Sequence, residues 1–119
     1  MICARCKEDK PENAFYYRQT EGRHHACCKA CHNTYTHERF KRRKVKAIHY
    51  KGGACKDCGG TFHYSVYDFH HRDPGAKDLT GSQIKRMAWK TVVAELDKCD
   101  LLCANCHRVR HWGEPRAER

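Results

Sequence analysis

At 119 residues the chain has room for one or two small domains, and a hydrophobic fraction of 39% with a mean hydropathy of −0.95 leaves little apolar material for a core. No apolar run is long enough to span a bilayer, and Met1-Ile2-Cys3 opens the chain without the charged and apolar regions of a secretion signal, so a cytoplasmic protein with reduced thiols and no membrane partner is expected. The formal net charge of +10 and isoelectric point near 9.2 point to a polyanionic partner, nucleic acid ahead of an anionic membrane surface.

So small a core needs staples, and ten cysteines can supply them. Four Cys-x-x-Cys pairs occur, Cys3/Cys6, Cys28/Cys31, Cys55/Cys58 and Cys103/Cys106, a spacing that lets two thiolates of one tight knuckle grip the same ion. Two structural tetrathiolate zinc sites are therefore preferred to disulfides. Each would carry a net −2, which lowers the chain's charge to about +6 and leaves it basic.

Residues 1–33 read as a four-cysteine zinc module of ribbon type. Cys3-x-x-Cys6 makes a knuckle, Lys10-Pro11-Glu12-Asn13 turns the chain, Ala14-Phe15-Tyr16-Tyr17 is a short β-like run, and Glu21-Gly22-Arg23 turns it again. Cys27 and Cys28 are adjacent; Cys28 is chosen because Cys28-x-x-Cys31 repeats the first knuckle, with Cys27 left as a small buried thiol or a spare ligand. His24, His25 and His32 are read as solvated or phosphate-touching rather than ligating.

Residues 34–52 predict a basic linker helix over 34–50 stopped by Gly52-Gly53. Phe40, Lys44, Ala47 and Ile48 form its narrow stripe, while Arg39, Lys41, Arg42, Arg43 and Lys46 crowd the remaining surface and are the expected DNA-phosphate contacts. Residues 53–112 hold the second metal module. Cys55 and Cys58 are separated from Cys103 and Cys106 by an insertion in which residues 64–71 read as a strand, and alternation puts His70 and His71 on opposite faces of it. Residues 82–97 predict a core helix with Ser82 as N-cap, Ile84, Met87, Ala88, Val92 and Leu96 on its apolar face, and Trp89 packing rather than stacking on a base. A second strand at 100–103 and a closing helix at 104–112 follow, on which His107 and His111, four apart, share a face in metal-ligand spacing. Residues 113–119 read as a frayed tail.

Asp68-Phe69-His70-His71-Arg72-Asp73-Pro74, combined with Leu101-Leu102-Cys103-Ala104-Asn105-Cys106-His107-Arg108-Val109-Arg110-His111, resembles the HNH endonucleases, and the opening four-cysteine module is similar to one found in some of them. The resemblance covers roughly residues 51–112. It implies a small α+β, zinc-stapled protein whose catalytic unit is a ββα-metal finger, with His70 and His107 as ligands of a catalytic divalent cation (Mg, Mn or another transition ion), His111 as a further ligand and His71 as general base. It also implies DNA as substrate, 5′-phosphate and 3′-hydroxyl products, and association with a phage or mobile element. In one position the chain departs from the pattern: the family's central asparagine would fall nine residues before His107, where this chain has Lys98. Asp97, Asp100 or Asn105 are candidates to replace it, and Asp68 is a candidate to orient the base.

The residue types suit the chemistry. Water attacking a phosphodiester needs a base that titrates near neutrality, which an uncoordinated imidazole provides, and a cation to stabilise charge on the phosphoryl oxygens. Without a long apolar stripe for a permanent dimer, a monomer that nicks, or pairs on DNA to cut both strands, is expected. Two other classes remain open: a non-catalytic zinc-finger DNA-binding regulator, and a zinc-stapled module that binds a protein.

Overall fold

The computed structural model describes residues 1–76, 83 and 86–113. The chain divides at Phe40 into two compact units, residues 1–40 and 41–119. Among the described residues the elements are β1 (Tyr17–Arg18), β2 (Arg23–His24), α1 (Lys29–Tyr50), β3 (Tyr67–His71), α2 (Trp89–Leu96), β4 (Cys99–Cys103) and α3 (Ala104–Trp112), a small α+β arrangement with two separate two-stranded sheets. None of the described helices is long and apolar enough to cross a membrane.

In the first unit the chain folds back directly after Cys3. The amides of Arg5 and Cys6 point at Cys3 Sγ (3.4 and 3.5 Å), Lys7 N–H returns to the Cys3 carbonyl, and Lys7 takes the left-handed conformation at φ 65° that this turn imposes. A 3-10 turn at Glu12–Ala14 sends Phe15 into a core of Cys3, Phe15 and Cys28. β1 and β2 pair antiparallel, Tyr17 opposite His24, around the predicted turn, where Gly22 at φ 64° donates to the Arg18 carbonyl.

α1 starts five residues before the predicted 34, because the Cys28/Cys31 pair sits on its first turn: Cys31 N–H points at Cys28 Sγ (3.5 Å), so the thiol side chain occupies the capping position. Its end falls where Gly52-Gly53 placed it; Gly53, at φ 76°, donates to the Ile48 carbonyl. Ala47 and Ile48 are buried, whereas Phe40 and Lys44, expected on the same stripe, are only half-buried.

In the second unit β3 and β4 form an antiparallel pair in the register Tyr67↔Cys103, Phe69↔Leu101 and His71↔Cys99, with Asp68↔Leu102 and His70↔Asp100 between. β3 begins three residues later than predicted. His63 Nδ1 accepts the Ser65 N–H and winds Tyr64–Val66 into a 3-10 turn that the β-branched and aromatic composition did not reveal. Alternation along the pair sends Tyr67, Phe69 and His71 to one face and Asp68 and His70 to the other. The first face packs on Ala47 and Ile48 of α1 and on Val92 and Leu96 of α2; the second meets α3. Each cluster is only a few side chains, consistent with a fold that relies on its cysteine staples.

α2 is shorter than the predicted 82–97 helix. Met87 and Ala88, expected on its apolar face, are exposed and lie before it, Ala88 being its N-cap, while Val92 and Leu96 are buried as expected; Ser82 and Ile84 lie outside the described residues. Trp89 packs against the Ala47/Val92/Leu96 cluster, with Lys46 Nζ 4.2 Å and the Arg43 guanidinium 5.5 Å from its ring centre. α3 has the predicted bounds, and β4 extends the expected strand by one residue, Cys99.

Candidate functional site

Among the described residues, three groups of side chains converge in the metal-binding sense. Cys3, Cys6, Cys28 and Cys31 form one and Cys55, Cys58, Cys103 and Cys106 a second, each with its sulfurs within 4.8 Å of one another; His70, His107 and His111 form a third to the same limit. Cys28, not Cys27, belongs to the first group.

The two cysteine groups are built alike. Cys55 repeats the fold-back of Cys3: Gly59 N–H returns to the Cys55 carbonyl, Cys55 N–H reaches the Gly60 carbonyl, and Gly59 holds at φ 71° the left-handed position that Lys7 occupies in the first. In both groups the second pair lies at a helix start, Cys103 being the N-cap of α3 and receiving Cys106 N–H at 3.4 Å. A tetrahedral zinc with Zn–S of about 2.3 Å holds its sulfurs about 3.8 Å apart, and Cys58 and Cys103 Sγ are 4.0 Å apart. The electrostatics also call for a cation. Backbone N–H groups, Cys28's foremost, hold the Cys3 thiol down at about 5. Burial opposes ionisation of Cys55, yet the amides of Cys58, Cys103 and Asp57 outweigh it and bring that thiol to about 6. The neighbouring Cys28 sulfur, with burial, pushes Cys31 up to about 12, and burial with the surrounding sulfurs raises Cys106. Some thiolates form readily in each group and the rest are repelled by them, a conflict that a divalent ion among four sulfurs removes. Lys10 Nζ, 3.2 Å from Cys28 Sγ, supplies further positive charge to the first group. Both groups could thus hold structural zinc.

The third group has different donors. His107 and His111 lie one turn apart on α3 with their Nε2 atoms 3.1 Å apart, and the His70 ring, on the sheet face that meets α3, lies 5.1 and 5.6 Å from theirs, centre to centre. Ligating nitrogens at about 2.1 Å from one ion sit roughly 3.0–3.4 Å apart, so the His107/His111 spacing fits a shared cation. Burial first, then the charges of His107, Arg110 and His111 against that of Asp100, holds the His70 imidazole below its ordinary value and favours its neutral, ligating form. Asp68, two residues before His70 and therefore on the same sheet face, places Oδ2 3.1 Å from His107 Nδ1 and so leaves His107 Nε2 facing the group.

His71 stands apart from this group, on the opposite sheet face. Its Nε2 is 2.6 Å from Oε1 of Glu95 on α2, and the two side chains are 10% and 2% exposed. The four carboxylate and amide side chains that the sequence offered as orienting groups for the base are placed elsewhere. Asp68 supports His107; Asp97 accepts from Tyr50 Oη at 2.5 Å; Asp100 is engaged by Arg110, Arg72 and Lys56; and Asn105 is exposed. Lys98, standing where an asparagine was expected, touches Glu95 Oε2 at 3.3 Å. Sequence reading missed Glu95, although one signal was there: with Val92 and Leu96 it occupies positions i, i+3 and i+4, so an acid falls inside a buried stripe.

Of the expected phosphate contacts, Arg39, Lys41, Arg42 and Lys46 are exposed and Arg43 is half-buried. Arg43 donates to the Met87 carbonyl at 2.7 Å, Lys46 lies on Trp89 and Lys41 on Tyr64, whereas Arg39 and Arg42 have no partner among the described residues. His25 and His32 face each other 4.8 Å apart and belong to neither cysteine group. Protein-family models, curated proteins and solved structures give no match to this chain.

Proposed function

We propose that this protein is a metal-dependent DNA endonuclease of HNH type, stapled by two zinc ions and carrying an exchangeable divalent cation on His70, His107 and His111. The observation that carries the reading is the separation of two kinds of histidine on one strand end: His70 joins the α3 histidines, backed by Asp68, while its neighbour His71 is kept out of that group. A structural zinc site has no use for an adjacent unligated imidazole; phosphodiester hydrolysis does.

A cation bound there supplies Lewis-acid stabilisation of the charge that grows on the phosphoryl oxygens. The chain's own residues do the rest. Asp68 fixes the ring of His107, so that its Nε2 stays aimed at the group. His71 takes the proton of the attacking water as the new O–P bond forms; the bond from phosphorus to the 3′-oxygen breaks, and the departing oxygen takes a proton from solvent. Exposed Arg39, Arg42 and their neighbours on α1 hold backbone phosphates and set where the duplex lies without reading its sequence.

A second reading, a non-catalytic zinc-stapled DNA-binding regulator, is favoured by the burial of His71 against Glu95, which also describes a structural strut. Supercoiled plasmid separates the two. Protein freed of loosely held ions should relax it on addition of Mn²⁺ or Mg²⁺, and His71→Ala should stop cleavage while DNA retardation and two zinc ions per chain persist. Retardation with no ion-dependent cleavage by the wild-type protein would establish the regulator instead.

A further inference from the structure

We infer that Glu95 is a positioning residue for His71: it fixes the imidazole in the tautomer that carries its proton on Nε2 and leaves Nδ1 as the basic atom. The inference rests on the nuclease reading and deepens it. Its starting point is an acid where α2 should be apolar. Val92 and Leu96, three and one residues away, are fully buried, and Glu95 lies between them at 2% exposure. A carboxylate taken out of water is costly unless its oxygens are met by donors, and a leucine there would pack the same space without that cost. Both Glu95 oxygens are met: Oε1 lies 2.6 Å from His71 Nε2 and Oε2 3.3 Å from Lys98 Nζ. With an ammonium on one oxygen and a ring nitrogen on the other, the carboxylate is placed to accept from both, which assigns the proton in the short contact to Nε2.

The consequence falls on the other nitrogen. His71 Nδ1 makes no hydrogen bond to any of the described residues, and the side chain keeps 10% of its surface exposed. A strut would be served as well by an apolar pair. This arrangement instead fixes the ring through one nitrogen and presents the lone pair of the other, at the last residue of β3 and directly after the ligand His70. In the cleavage step the water proton goes to Nδ1, Nε2–H stays on its nitrogen, and the growing imidazolium is stabilised by Glu95 with no proton passing to the carboxylate.

Two measurements test this. The first is the ¹⁵N spectrum of the His71 ring in the zinc-loaded wild-type protein at pH 8, which should show the Nε2–H tautomer; the Nδ1–H tautomer would overturn the inference even if no variant folds. The second is a kinetic cycle. Glu95→Gln, whose amide can donate to Nε2 and so favour the wrong tautomer, should lower kcat about 10- to 100-fold with KM for DNA and zinc content unchanged, within the 10²- to 10⁴-fold ordinarily supplied by a general base. In a His71→Ala background the same change should cost nothing further, since Glu95 acts only through His71. An undiminished kcat in Glu95→Gln, or a double variant slower than His71→Ala by the full factor, would overturn the role of Glu95 and leave the nuclease reading standing; a wild-type protein that cleaves no DNA would overturn that reading and this role together.

Discussion

Replacing Asp68 should weaken the third metal group by an amount that its geometry sets. Its carboxylate lies 3.1 Å from His107 Nδ1, which fixes the tautomer and the orientation of the ring. Losing a metal-orienting partner of this kind typically costs 10- to 100-fold in affinity, about 1.4–2.8 kcal/mol. Asp68 is 43% exposed, so water screens part of its charge and the lower end applies: Asp68→Ala should lose roughly 10-fold. Asp68→Asn keeps an acceptor and loses only the charge assistance, about 1 kcal/mol, hence roughly 5-fold. Calorimetric titration of Mn²⁺ or Co²⁺ into protein whose cysteine groups already hold zinc reads these values directly. Equal affinity in all three proteins would refute the claim that His107 is held for a cation, and a loss of zinc from the cysteine groups would show that Asp68 supports the fold instead.

Further outcomes follow from the same geometry. Lys7→Gly removes a left-handed conformation that costs an L-residue about 1–2 kcal/mol. After the greater unfolded-state entropy of glycine is subtracted, the net gain should be about 0.5–1 kcal/mol, seen as a two- to fivefold higher chelator concentration needed to strip the first group; no gain would mean the turn is not what zinc holds closed. Cys103→Ala removes a ligand and the α3 N-cap together, so the second unit should lose its zinc and its native near-ultraviolet spectrum, because metal-binding energy in so small a core is largely folding energy. Arg42→Ala should flatten the dependence of log K for DNA on log salt by about 0.9, one phosphate contact; an unchanged slope would leave α1 a solvated connector. Arg43→Ala should also lower stability, since that side chain ties α1 to the Met87 carbonyl and Trp89.

Much of this arrangement was legible because the decisive signals are local. Cys-x-x-Cys states a turn geometry, His107 and His111 state a helix face, and the adjacency of His70 and His71 states opposite faces of a strand; the cysteines and the α3 histidines lie together, and His70 and His71 lie apart, as that spacing requires. The elements that shifted did so through side-chain to backbone bonds that composition does not report: the Cys28 sulfur drew the start of α1 back to Lys29, and His63 wound Tyr64–Val66 out of the strand. The carboxylates were the least legible. Asp68 was weighed as partner for the base, but strand alternation already put it on the face of His70, which is why it meets His107. Glu95 lies 24 residues from His71, and only the fold of α2 over the sheet brings the two side chains together.

The central claim, one exchangeable cation on three histidines serving one cleavage, is tested most directly by following nicking of supercoiled plasmid against added Mn²⁺ for the wild-type protein and His107→Ala, both holding two zinc ions. The account predicts that the wild-type rate rises and saturates as a single site fills, with open-circular product before linear, and that His107→Ala stays at background at every concentration. Cleavage that needs no added ion, or that survives in His107→Ala, would contradict it.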